Sequence, residues 1–258
     1  MKRLAGALFW IIWFIPFLPT TFLCAMAIII FNIIWFNKSD RKTRFLRKIY
    51  RLWGRLTIFY AFSPVKVVGY KKDIPKPTLI ISNHQSDFDI YAGGFYPVDF
   101  LFLSKKEVFE IPLIGTAMRN VEFLSVDRNQ PEKAAVSLLN LIRKIKQKKT
   151  ILIYPEGTRS EDASNMLPFK NGSLIAARQA KIPITPIVIH GTQLIKPPKK
   201  KFYIMPHKIY IDVLKPIYPD DDLHPSNANS PYSEEEQSDK IRELMQRSYH
   251  DLKLRKFS

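Results

Sequence analysis

The sequence predicts an α/β protein, a mixed and largely parallel sheet flanked by helices, with an amino-terminal hydrophobic helical membrane motif. Three observations lead there. From Pro64 onward, short runs rich in Ile, Val and Leu alternate with stretches of helical periodicity. Residues 4–36 contain no charged side chain, and a spanning helix needs only about 20 apolar residues to cross ~30 Å of hydrocarbon. Between these parts, residues 40–62 repeat apolar and basic positions at helical spacing. The sequence therefore divides into a helical membrane anchor at 1–62 and an α/β domain at 63–258.

The apolar run is too long for one upright helix, and Pro16 and Pro19 lie near its middle. A proline inside a helix removes a hydrogen bond and clashes with the preceding turn. Either the helix kinks and tilts there, or the chain turns back as a hairpin. Lys2 and Arg3 precede the run, and Arg41, Lys42, Arg44, Arg47 and Lys48 follow it. Basic residues at both ends favour a monotopic anchor with both ends on the cytoplasmic side of the inner membrane. Ala25-Met26-Ala27 superficially fits a signal-peptide cleavage site, but the apolar run continues straight through it. In residues 40–62, Phe45, Ile49, Leu52, Trp53, Leu56 and Phe59 alternate with Arg44, Arg47, Lys48, Arg51 and Arg55. That is a basic amphipathic helix suited to anionic headgroups, which are one expected partner.

In the remaining chain, strands are expected at 65–69, 78–82, 99–103, 151–154, 184–190 and 209–213. Helices are expected at 87–95, 112–118, 131–147 and 173–179. The strand at 184–190 contains Pro186, which suits an edge or a position beside a bulge. Ser233 and Glu236 form a capping box that starts a last helix, with Ile241, Leu244, Met245, Tyr249 and Leu252 on one face.

Composition narrows the function. Hydrophobic residues make up 46% and charged residues 24%, which excludes a disordered chain. Cys24 is the single cysteine, so neither a disulfide scaffold nor a thiolate metal cluster can form. The net charge of +17 implies an anionic partner: a nucleic acid, a headgroup surface or a phosphorylated substrate.

Two short segments carry groups suited to chemistry. Asn83-His84-Gln85-Ser86-Asp87-Phe88-Asp89 directly follows the strand at 78–82. A neutral imidazole can take a proton near pH 7, and it needs a carboxylate on its other nitrogen to hold the tautomer. A five-residue offset does not place two side chains on one helix face, but a loop entering a helix can bring them together. Ser86 and Asp89 also have the spacing of a helix cap. Tyr154-Pro155-Glu156-Gly157-Thr158-Arg159 follows the strand at 151–154. Gly157 permits close backbone approach, and Arg159 offers a planar fork suited to phosphate. Lys105 and Asp127-Arg128 add two further cations near possible strand ends.

Taken in order, these segments resemble the glycerolphosphate acyltransferase family, with the bacterial 1-acyl-sn-glycerol-3-phosphate acyltransferases as the nearest likeness. Asn83, His84 and Asp89 match the family's N-H-x4-D box, and Glu156, Gly157, Thr158 and Arg159 match its E-G-T-R box. Ile182 to Pro186 matches an apolar-Pro-Ile-x-Pro block, and Phe169-Lys170-Asn171-Gly172 looks like the F-K-x-G stretch. The block before Asp127-Arg128 departs from the family at Glu122, where a glycine is common, and at Ser125, where an aromatic is common.

The resemblance implies transfer of an acyl group from acyl carrier protein or CoA to the sn-2 hydroxyl of lysophosphatidic acid, making phosphatidic acid. In that reading His84 is the general base, Asp89 its orienter, and Lys105 and Arg159 hold the substrate phosphate. Arg128, Glu156, Gly157 and Thr158 complete the substrate-binding set, and neither cofactor nor metal is required. The same motifs serve other lysophospholipids or glycerol 3-phosphate as acceptors. A membrane-tethered nucleic-acid binder is a distant alternative: 143–149 and 196–201 are basic, but no recognition motif accompanies them. A non-catalytic membrane scaffold would not need His84, Asp89 and Arg159 together.

Overall fold

The computed structural model describes residues 2–37, 39–70, 73–127, 131–160, 165–170 and 172–254. Its strands are β1 (Val65–Gly69), β2 (Leu79–Ser82), β3 (Leu101–Lys105), β4 (Leu124–Val126), β5 (Ile151–Ile153), β6 (Ile184–His190) and β7 (Ile209–Val213). They form one seven-stranded sheet in the order β1-β7-β6-β2-β5-β3-β4. All neighbours run parallel except β6 and β7, which are antiparallel. The mixed, largely parallel sheet is therefore the one the sequence predicts.

Around it lie α1 (Lys2–Ile34), α2 (Asp40–Tyr60), α3 (Phe88–Ala92), α4 (Lys106–Phe109), α5 (Ile114–Asn120), α6 (Pro131–Lys146), α7 (Gly172–Ala180), α8 (Thr192–Ile195) and α9 (Glu234–Leu254). The period-2 alternation of the strands splits the core in two. Ile80, Leu152, Phe102, Ile187 and Ile189 face a layer with Trp13, Leu46, Ile58 and Phe88 from α1, α2 and α3. Leu79, Ile81, Ile151, Ile153 and Val188 face the opposite layer, with Leu141, Ala177, Ile241 and Met245 from α6, α7 and α9.

The structure decides between the alternatives at the prolines and at Pro186, and it corrects the expectation for the basic face of α2. The chain does not turn back at Pro16 and Pro19, because α1 continues through both. The turn comes after Ile34, and α1 pairs with α2 on either side of the prolines. The Trp13 indole donates to the Thr57 carbonyl at 3.0 Å, and the Trp53 indole donates to Thr21 Oγ1 at 2.9 Å. These contacts hold a turn whose own hydrogen bonds are missing.

The basic face of α2 is only partly available to headgroups. Arg47 is buried and its guanidinium grips Asp99 at 2.8 Å, while Arg51 and Arg55 donate to the Gly94 carbonyl. These arginines fix α2 to the loop before β3. Arg41, Arg44 and Lys48 stay on its exposed side. Asp99 is thus a partner for Arg47, and β3 begins at Leu101, two residues later than expected.

The strand with Pro186 is not an edge but the third of seven. It does lie beside a bulge. Ile187 pairs with Val213 and Ile184 bridges to Ile217, so Thr185 and Pro186 face the longer stretch Leu214, Lys215 and Pro216. That irregularity accommodates a residue with no N–H. The three-residue β4 lies outside the expected strands, and the four-residue α4 and α8 are about one helical turn each, too short to show periodicity. The capping box at α9 forms in both directions, although Leu244 is exposed.

Candidate active site

β6, β2 and β5 are adjacent and parallel, so the segments that follow them meet at one sheet edge. Asn83 continues β2 by imitation of a strand residue: its Nδ2 donates to the Ile189 carbonyl at 2.9 Å, and Ile189 N–H donates to its Oδ1 at 2.8 Å. The chain then turns, and the His84 ring meets Asp89 with Nδ1 and Oδ2 2.9 Å apart. Asp89 is fully buried. Its Oδ2 also accepts Gln85 N–H at 2.7 Å and Ser86 N–H at 2.8 Å, and its Oδ1 accepts the Thr192 hydroxyl at 2.5 Å. Four donors compensate the buried charge. One carboxylate therefore serves both the turn into α3 and the imidazole. With Nδ1–H given to Asp89, Nε2 carries the lone pair.

The E-G-T-R segment is strapped to the same histidine. Glu156 Oε1 accepts His84 N–H at 2.7 Å, and Ser160 N–H donates to the His84 carbonyl at 2.9 Å. Glu156 Oε2 accepts Leu167 N–H at 2.8 Å. Burial pushes the Glu156 carboxyl up to about 7, against the opposing pull of these two backbone hydrogen bonds. Gly157 sits at φ 72°, and a Cβ there would come within 2.6 Å of the Lys170 side chain. The Lys170 side chain could move aside, so it is the positive φ that calls for glycine here.

Arg159 donates to Asp87 Oδ1, and Lys196 Nζ lies 2.5 Å from Asp87 Oδ2. Burial works against the Asp87 charge, but the Lys196 hydrogen bond and the charges of Lys196, Arg159 and His84 hold its carboxyl below the usual value. Sequence reasoning missed Thr192 and Lys196. Both follow β6, and Lys196 opens the basic stretch 196–201. The only available signal was their place after a strand that pairs with β2.

The other expected residues are less closely joined. Lys105 ends β3 on the same edge with an exposed side chain. No hydrogen bond or ion pair joins it to His84, Asp89 or Arg159 among the described residues. Thr158 is exposed, and Arg128 lies outside the described residues. Glu122, which departs from the family's glycine, adopts φ 65°, the left-handed region glycine occupies at least cost. Lys144 lies 3.5 Å from its carboxylate.

A family model described as Acyltransferase matches residues 65–190, the stretch holding both boxes. The chain belongs to the acyltransferase family. A chloroplastic 1-acyl-sn-glycerol-3-phosphate acyltransferase from Brassica napus is 31% identical over 189 residues, 72% of this chain and 54% of that protein. A 1-acyl-sn-glycerol-3-phosphate acyltransferase from Helicobacter pylori is 32% identical over 164 residues, 63% of this chain and 65% of its own. The chain thus spans 54% and 65% of the length of these two family members. The crystal structure of the 1-acyl-sn-glycerophosphate (LPA) acyltransferase PlsC from Thermotoga maritima has the same fold, with a TM-score of 0.82 over all of both chains at 24% identity.

Proposed function

We propose that this acyltransferase moves a fatty acyl group from an acyl carrier protein or CoA thioester to the sn-2 hydroxyl of 1-acyl-sn-glycerol-3-phosphate. The product would be phosphatidic acid for phospholipid synthesis. The observation that carries the reading is the His84–Asp89 pair, 2.9 Å apart on a fully buried carboxylate. His84 Nε2 takes the hydroxyl proton while the oxygen attacks the thioester carbonyl. The tetrahedral intermediate then expels the thiolate, which leaves with the proton from His84. Asp89 stabilises the imidazolium between those steps. The C–O ester bond forms as the C–S bond breaks, and the enzyme ends unchanged. Arg159 binds the headgroup phosphate, with Lys105 on the same edge and Arg128 as the remaining cation of the set. Glu156, Gly157 and Thr158 shape the loop that presents Arg159.

We also propose that residues 1–62 anchor the enzyme monotopically at the cytoplasmic face of the inner membrane, with 63–258 as the catalytic domain. Support comes from how α1 is held. The Gly6 carbonyl accepts Ile204 N–H, Trp13 is buried beside Phe88, and α2 packs along the rest. Docking along one side favours a helix that lies against one leaflet. Its other side exposes Leu4, Ile15, Leu23, Ile34 and Phe36, continued by Phe45, Leu52 and Phe59 on α2. That is an apolar face of the kind that inserts into one leaflet.

The deciving assay supplies purified full-length protein in mixed micelles with lysophosphatidic acid, other lysophospholipids and glycerol 3-phosphate, each with both thioesters. Phosphatidic acid from at least one donor is expected, and its loss in His84→Ala. Acylation of another acceptor alone would replace this substrate assignment.

A further inference from the structure

The Asp87 carboxylate bridges two cations beside the candidate base. One oxygen accepts from Arg159 and the other from Lys196. The three side chains are partly open to solvent, at 37% exposure for Asp87, 38% for Arg159 and 21% for Lys196. Lys196 is not loosely placed. Its carbonyl accepts the Ser86 hydroxyl at 2.8 Å, so its backbone is tied to the segment that carries His84 and Asp89. It also ends α8, whose Thr192 holds Asp89.

We propose that Lys196 is a further phosphate-binding residue, paired with Arg159, and that Asp87 is an internal anion occupying their phosphate site between turnovers. The inference rests on the reading of this edge as the place where a phosphate monoester headgroup binds. Two cations converging on one carboxylate already have the spacing to converge on two oxygens of one phosphate. An incoming phosphate monoester replaces the carboxylate, and when it leaves, Asp87 closes on the cations again.

This arrangement has a kinetic consequence. Lysophosphatidate and phosphatidate carry the same headgroup, so a site that grips it tightly holds product as firmly as substrate. A competing carboxylate weakens both by the same factor and speeds release.

The test compares wild-type full-length protein with Lys196→Gln, Lys196→Arg and Asp87→Asn in mixed micelles, with Lys148→Gln as a control for lost charge at the other end of the sheet. Steady-state kinetics with lysophosphatidate are paired with calorimetric titration of glycerol 3-phosphate and of inorganic phosphate, which need no turnover. Lys196→Gln should raise KM for lysophosphatidate about tenfold and weaken glycerol 3-phosphate binding comparably, with KM for the thioester unchanged. Lys196→Arg should recover most of that loss. Asp87→Asn should tighten glycerol 3-phosphate and inorganic phosphate binding, lower KM and strengthen inhibition by phosphatidate. Binding of inorganic phosphate as tight as that of glycerol 3-phosphate would show that the phosphate alone is recognised, and weaker binding that the glycerol contributes; both fit the proposal. Unchanged lysophosphatidate KM in Lys196→Gln, or weaker anion binding in Asp87→Asn, would overturn it. Absence of wild-type acyl transfer with anion binding intact would instead overturn the functional reading and leave the phosphate site standing. Absence of wild-type anion binding would overturn the site itself.

Discussion

The phenol ring of Tyr154 lies flat against the imidazole of His84, with centroids 4.2 Å apart and planes 7° from parallel. Tyr154 ends the run that begins β5, and Phe102 packs edge-on against it from β3. The imidazole is therefore held at three places: the ring face by Tyr154, Nδ1 by Asp89, and the backbone by Glu156 and Ser160. The Tyr154 hydroxyl is buried without a hydrogen-bond partner, and burial raises the phenol well above its usual value, so it stays neutral.

From this contact, the ring of Tyr154 should matter and its hydroxyl should not. Tyr154→Phe should keep kcat within about twofold and be as stable or slightly more stable, since an unpartnered buried polar group costs about 1–3 kcal/mol. Tyr154→Leu should fold but lose about ten- to a hundredfold in kcat, because His84 can then tilt. Comparable activity in all three proteins would remove the positioning role.

His84→Ala should lower kcat by at least about 10²-fold with thermal unfolding and membrane binding retained. Asp89→Asn tests the charge separately. An asparagine oxygen can still accept from His84, Gln85 and Ser86, and the Thr192 hydroxyl can rotate to accept from the amide. The variant should fold, yet lose most activity because it cannot stabilise an imidazolium. More than about a tenth of wild-type kcat in His84→Ala would exclude it as the base.

Arg159→Lys keeps the charge but loses the planar fork. It should raise KM for lysophosphatidate and leave the thioester KM alone. Equal changes for both substrates would count against phosphate recognition by this residue.

Glu156 makes a pH-dependent contribution to stability. Folded Glu156 keeps its proton up to about pH 7, whereas the unfolded chain releases it near the ordinary value of 4.5. The folded state binds more protons in that window, so stability should fall as pH rises through it, by about 3 kcal/mol for this group alone. Thermal unfolding in detergent from pH 4.5 to 8 should show Glu156→Gln with a flatter profile than wild type. Parallel profiles would refute it.

Single cysteines at positions 2 and 37, in a Cys24→Ser background, test the anchor in sealed inside-out vesicles. A membrane-impermeant thiol reagent should label both without lysis. Labelling at 37 alone would establish a span and end the monotopic model. Extraction should require detergent rather than salt.

Local signals carried much of this protein. The alternation of Ile and Val runs with helical stretches set the α/β class, and β1, β6 and β7 appear at the expected bounds because each combines strong β-formers with a clear break. The order and spacing of the two boxes marked His84, Asp89 and Arg159. The four-residue helices α4 and α8 could not be read, since about one helical turn shows no period.

The sequence alone therefore determined the layer class, the apolar amino terminus and the residue types of the candidate site, because these depend on neighbours within a few positions. Tertiary structure decided which charges are occupied and by what. Arg47 is taken by Asp99, 52 residues away, and Lys196 by Asp87, 109 residues away. It also decided that α1 passes through two prolines, since α2 supplies contacts the helix itself lacks. Spacing along the chain can indicate that an arginine suits a phosphate, but only the packed sheet edge brings a carboxylate there first.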